Sequence, residues 1–165
     1  MDIKKTANLL INFTIKRLAE VFGIIVFISG ILLLIALLTY SPEDPNFIFP
    51  SNSEITNFLG FKGSFISDLF FQSIGLISYL FCFTLVFTGI NIFIIKEFFL
   101  IIENIFFAVI YIIFGTFFLS YFFSSAFAFY INGNGGFVGL YLNETFLNSL
   151  TQTNEAIFYY FLIIL

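Results

Sequence analysis

Apolar runs long enough to cross a bilayer alternate along this chain with polar stretches that carry proline, glycine and asparagine. The run 21–40 has about 20 residues, the length an α-helix needs to cross roughly 30 Å of hydrocarbon. The run 69–95 would reach about 40 Å as a helix, so it tilts or extends into the interface. Lys96 and Glu97 interrupt the apolar character, 98–104 is interfacial, and a third run occupies 105–130. Runs two and three thus predict a helical hairpin turning near Lys96. The stretch 156–165 is wholly apolar but covers only about half a bilayer. It is expected to be a truncated fourth span, because a natural end leaves its carbonyls and terminal carboxylate in water.

The pattern predicts an all-α integral membrane helical bundle with three complete spans and an incomplete fourth. The first connection, 41–68, holds Pro42, Pro45 and Pro50 with Glu43, Asp44, Glu54 and Asp68. Asp68 is placed to cap the second helix and complement its dipole. Phe58, Leu59, Phe61, Phe65 and Ile66 are expected to rest on the membrane, with Gly60 and Gly63 permitting turns. The second connection, 131–155, opens on the breaker cluster Asn132-Gly133-Asn134-Gly135-Gly136. Phe137, Leu140, Tyr141, Leu147 and Leu150 then recur at helical spacing and predict a short helix lying on the membrane.

Composition supports the membrane class: 60% of residues are hydrophobic and 10% charged, against about 25% charged in a soluble domain. Charge sets an orientation. Lys4, Lys5, Lys16 and Arg17 precede the first span and Lys96 follows the second. Lys62 is the one basic residue in 41–68, and 131–155 has none. By the positive-inside rule, the N-terminus (1–20) and the 96–104 turn are cytoplasmic, and both long connections face outward. The basic start resembles a signal peptide, but the run after it is too long and has no small-x-small cleavage site, so an uncleaved anchor is expected. The net charge of −4, with basic residues scattered, offers no stripe for a nucleic-acid backbone.

Candidate chemistry is sparse. There is no His, and the 29 Phe, like the excess of Ile and Asn, reads as compositional bias. Cys82 sits in an apolar run as a small buried residue. Asn91 is the most polar residue well inside a span, and Lys96 is placed to offset Glu97 and Glu103. Small residues recur at helical intervals: Gly23 and Gly30, then Gly75, Ser78, Cys82 and Gly89, then Ala108 and Gly115. Such faces let helices approach closely, either within one subunit or, on the second span, between subunits. The Asn143-Glu144-Thr145 sequon is too short to carry weight. No P-loop, serine-elbow, CxxC or HExxH motif occurs, so no catalytic, cofactor-binding or metal residues are expected in this segment.

Three motifs carry a resemblance. The stretch Leu37-Leu38-Thr39-Tyr40-Ser41-Pro42-Glu43-Asp44-Pro45-Asn46-Phe47 resembles the LxTYxPxDPx-aromatic exit from the first helix of FtsK/SpoIIIE bacterial DNA translocases. Asn57, Gly60, Gly63 and Asp68 match that family's N-x-x-G-x-x-G lead into helix two, and Gly75 and Tyr79 continue it. Gly135, Gly136 and Gly139 are similar to the GGxxG before helix four. The resemblance covers about 18–165. It implies a four-helix domain over 21–165 in the bacterial inner membrane, at the division septum, anchoring a hexameric motor and contacting other division proteins through its outward loops. It also implies that ATP, magnesium and DNA are engaged only by a motor absent from these residues. A small transporter or channel subunit, or a stand-alone membrane assembly or immunity protein, are the rival readings of the pattern.

Overall fold

A computed structural model describes residues 3–45, 54–123, 132–147 and Tyr160. Its elements are α1 (Ile3–Leu38), α2 (Gly60–Ile74), α3 (Ile77–Ile95), α4 (Phe99–Phe122) and α5 (Gly136–Leu142), the last continuing into a π-helical turn at Asn143–Leu147. The described residues contain helices and no strands. Three helices are long and apolar enough to cross a membrane: Ala7–Leu38 within α1, then α3 and α4. The bundle is therefore all-helical and of the membrane type.

α1 is continuous from its basic start. Its 36 residues amount to about 54 Å, well beyond a hydrocarbon core. Residues 7–18 are exposed throughout and contact begins at the buried Ala19. From there α1 packs lengthwise on α3, the most extensive pairing in the fold. Glycines allow it. A Cβ at Gly89 would meet the Phe27 backbone nitrogen at 2.4 Å, and one at Gly23 would meet the Phe93 nitrogen at 2.7 Å. Gly30 lies against Val86 in the same way. In lipid, where no hydrophobic effect separates helix from solvent, this backbone proximity supplies the dispersion contacts that hold two apolar helices together.

The predicted second span is not one helix. Gly75 takes φ +57° and ψ −139°, which ends α2, and α3 starts at Ile77. The break has a physical cause: the Asn134 carbonyl occupies the space a Cβ at Gly75 would fill, only 1.9 Å away. α2 lies at the end of the bundle where α1 stops, packing on α1, α3 and α5. Leu33, Leu37, Phe71 and Cys82 form a buried cluster there, with Tyr40 and Tyr79 against it.

α3 and α4 form the expected hairpin. Lys96 makes the turn in the left-handed region, with φ +66°. Its ammonium does not offset Glu97 or Glu103. It reaches Glu20 Oε1 on α1 at 2.7 Å, where Glu20 also takes Arg17. α4 begins at Phe99, earlier than position 105, and ends at Phe122; residues 124–131 lie outside the described residues, as does 156–165 apart from Tyr160. α5 does not lie free on the membrane: its glycine face is buried on α2 and α4 while Phe137 and Tyr141 stay exposed.

The two glycine environments differ in a way that can be measured. Gly89→Ala is expected to cost about 1–3 kcal/mol by overpacking, because its methyl meets backbone. Gly115→Ala should cost less, since its nearest atom is the side-chain end Ile77 Cδ1. Reversible unfolding in mixed micelles would rank them; equal costs would show that the α1–α3 crossing does not depend on backbone contact.

Candidate functional site

The residues singled out in the sequence gather at one end of the bundle, in two clasps. The first closes the end of α1. The last carbonyls of a helix lack intrahelical donors. Thr39 supplies two donors to Ile35 O, from its backbone nitrogen at 3.1 Å and from Oγ1 at 2.8 Å. Leu37 O accepts from Tyr40 N and Tyr79 OH, each at 3.4 Å, and Asn57, 4% exposed, serves two more carbonyls. Its Nδ2 donates to Ala36 O at 2.9 Å and Thr39 O at 3.2 Å, and its Oδ1 accepts from Leu59 N at 3.1 Å.

Residues 40–45 form the turn that holds this cap in place. Asp44 N donates to Ser41 O at 3.2 Å, and Glu43 N to Ser41 Oγ at 3.3 Å. Pro42 suits the second position of such a turn because its φ is already fixed. The turn drives Asp44 inward to 3% exposure. Its Oδ1 accepts from Thr56 N at 2.9 Å and Thr56 Oγ1 at 2.8 Å, and its Oδ2 from Asn57 N at 2.9 Å. Three donors thus replace water around a buried carboxylate, two of them backbone amides that would otherwise be unpaired. Pro45 is buried too, and its carbonyl accepts from Ser64 Oγ at 3.2 Å.

Each glycine of the Asn57–Gly63 stretch has a separate task. Gly60 starts α2 at φ +66°, a conformation open to glycine at no cost, and donates its N–H to Asn57 O at 2.8 Å. Gly63 sits inside the helix and does not turn the chain. A Cβ there would lie 2.1 Å from Asn57 Oδ1, so its role is to leave room for the capping carboxamide. Asp68 lies well inside α2, not at its N-terminus, and so caps nothing. It accepts at Oδ1 from Tyr40 OH at 3.1 Å and Gln72 Nε2 at 3.5 Å. The Tyr40 ring packs 4.9 Å from Phe71, which in turn meets Tyr79 at 5.6 Å.

The second clasp repeats the chemistry with other asparagines. Asn132 Nδ2 donates to Gln72 O near the end of α2 at 3.0 Å, and Asn134 Nδ2 to Phe123 O at the end of α4 at 2.5 Å. Asn134 O accepts from Leu76 N at 2.9 Å across the α2–α3 break. Gly135 and Gly139 bring the loop onto α4, where a Cβ would meet Thr116 O at 2.3 and 2.4 Å. Gly136, at φ +63°, would meet Gly75 N at 2.6 Å. Gly75 thus belongs to this clasp, Ser78 donates to its carbonyl at 2.6 Å, Cys82 joins the buried cluster and Gly89 faces α1. These four are buried within one chain and do not form one continuous helical face.

A family model of the 4TM region of DNA translocase FtsK/SpoIIIE matches residues 15–165. The chain belongs to this FtsK/SpoIIIE 4TM family. It is also similar to the DNA translocase FtsK of Rhizobium meliloti (strain 1021), 31% identical over 78 residues. That match covers 47% of the chain and 9% of the relative. No solved structure matches.

In this FtsK/SpoIIIE domain the clasps are networks of structural hydrogen bonds. Among the described residues no group of His, Cys, Asp and Glu could hold a metal ion. The first clasp gathers Thr39, Tyr40, Ser41, Asp44, Pro45, Asn57, Gly60 and Gly63 from the two motifs, with Asp68 bonded to Tyr40. The sequence reading missed Thr56, Ser64, Asn132 and Asn134. Asn132 and Asn134 were visible only as turn formers, and the compositional abundance of Asn hid their capping role.

Removing the buried carboxylate should be severe. Asp44→Ala strands the Thr56 and Asn57 amides and is expected to cost about 3 kcal/mol, while Asp44→Asn, which keeps an acceptor, should cost about half. Gly63→Ala should resemble Asn57→Ala, because each evicts the same carboxamide. Thermal unfolding in detergent, with limited proteolysis of the 41–59 connection, would check this; an Asp44→Ala protein as stable as its parent would refute the clasp.

Proposed function

We propose that this chain is the membrane anchor of an FtsK-like DNA translocase in the bacterial inner membrane, acting in cell division and chromosome segregation. The observation that carries the reading is the family match over 15–165, the region that includes both clasps. The N-terminus and the Lys96 turn lie in the cytoplasm, and the clasped end faces outward, in keeping with the distribution of Lys and Arg. The ATP- and magnesium-dependent motor, with its DNA contacts, would lie C-terminal to residue 165, so this segment is a scaffold and not an enzyme.

The anchor's work is septal targeting, self-association toward the hexamer of the motor, and contact with other division proteins at the outward end. The clasps support this: they fix the path of 41–45 and 54–68 against α1 and α2, so a partner would meet a preorganised surface. Rigid recognition elements bind with less entropy lost than flexible loops.

Fused at its N-terminus to a fluorescent protein in a dividing bacterium, the chain is expected to concentrate at division sites, and Asn57→Ala to reduce that concentration while leaving membrane insertion intact. Uniform membrane fluorescence of the parent fusion would defeat septal targeting. A periplasmic reporter at 52 that stays inactive would reverse the topology.

A further inference from the structure

Where α1, α2 and α3 meet, an open groove of about 490 Å³ runs along the bundle. Its walls are helical stripes. On α2 the stripe is Lys62, Ile66 and Phe70, each four residues from the next. On α1 it runs from Ala36 through Leu32 to Ser29, about 10 Å along the helix. α3 contributes Phe81 and Leu85, and the Phe70 and Phe81 rings stack 5.5 Å apart. α5 and its π-helical turn line no part of it.

Charge enters this groove at one end. Lys62 adjoins Gly63, which makes room for the Asn57 cap, so it stands level with the end of α1, where the first apolar run leaves the hydrocarbon. It is exposed, and no ion-pair partner for it occurs among the described residues. A cation in the first turn of a helix opposes the helix dipole, and α2 has no acidic residue there to offset it. Deeper in the bilayer the lining is Leu32 and Leu85, and the Ser29 hydroxyl is already spent on Ile25 O at 2.8 Å.

We infer that this groove binds a phospholipid with an anionic headgroup, its phosphate on the Lys62 ammonium and one acyl chain laid along α1 and α3. The chemistry selects the occupant. A lysine at headgroup level above an apolar trough that descends into hydrocarbon matches the polarity of a phospholipid from phosphate to tail. A free phosphate leaves the trough empty, and a wholly apolar helix leaves the ammonium without an anion. The bound lipid covers the seam of three helices beside the Asn57 cap, and so ties the first clasp to the leaflet in which it stands.

The test reconstitutes the full chain in phosphatidylcholine vesicles doped with a phosphatidylglycerol that carries a diazirine in its acyl chain. Labelling should concentrate on the peptides of Leu32 and Leu85, above the exposed Phe106 and Val109 of α4. Lys62→Gln should lower groove labelling about fivefold, the worth of one lysine facing anionic lipid. Lys62→Arg should retain it, and Lys16→Gln, on the exposed start of α1, should leave it unchanged. Leu32→Trp, which fills the trough, should lower it with Lys62 in place, and circular dichroism checks that each variant stays helical. Equal labelling of α1, α3 and α4, or groove labelling undiminished in Lys62→Gln, would mark an ordinary lipid-facing surface and overturn the inference. A benzoylphenylalanine at Leu32 that captures protein and no lipid would overturn it too, since another helix then fills the trough.

Discussion

The last carbonyls of a membrane helix must find donors where the chain leaves the bilayer, and in this bundle asparagine side chains supply them. Asn57 serves α1, Asn132 serves α2 and Asn134 serves α4. Each unmet carbonyl at that depth would be costly, since neither lipid nor a buried loop substitutes for a donor. Much else at this end follows from placing those three carboxamides. Gly63 leaves space for the first and Asp44 fixes the backbone on either side of it. Gly75 breaks the second apolar run so that the backbone of Asn134 can enter.

This dependence explains which features were legible in the sequence. The presence of three membrane-type helices was, because length and hydropathy dictate it, and so was the hairpin at Lys96, but the break of the second run at Gly75 was not. The resemblance marked Tyr40 to Pro45, Asn57 to Gly63 and Gly135 to Gly139 as special. It did not say why, and the local reasons assigned to some of them were wrong. Asp68 read as a helix cap because it precedes an apolar run, yet α2 had already begun at Gly60, whose positive φ lets a helix start straight from the Asn57 cap. Gly75 read as a packing residue within a helix, because an isolated glycine in an apolar run gives no sign of a carbonyl arriving from a residue some sixty positions away.

Long-range partners account for the other misplacements. Lys96 stands next to Glu97 in sequence, but its left-handed turn carries the ammonium toward α1 and Glu20. Local charge balance is a poor guide where a turn residue sits at a helix crossing, because the tertiary neighbour is fixed by packing and the adjacent residue remains in water. The same holds for asparagine. In a chain rich in Asn by composition, no local signal separates Asn57 and Asn134, both almost fully buried, from asparagines that merely fill turns.

The two ends of the bundle are consequently built to different standards. At the clasped end, helix termini, loops and α2 interlock through buried hydrogen bonds and glycine-permitted backbone contacts. At the other end, the ties are the Gly23–Phe93 backbone contact, the Asn104–Thr88 hydrogen bond, the ion pairs of Glu20 with Arg17 and Lys96 and the ring contact of Phe22 with Phe98. Exposed ion pairs contribute little stability, so at that end the α1–α3 crossing is held by its glycine contacts more than by charge.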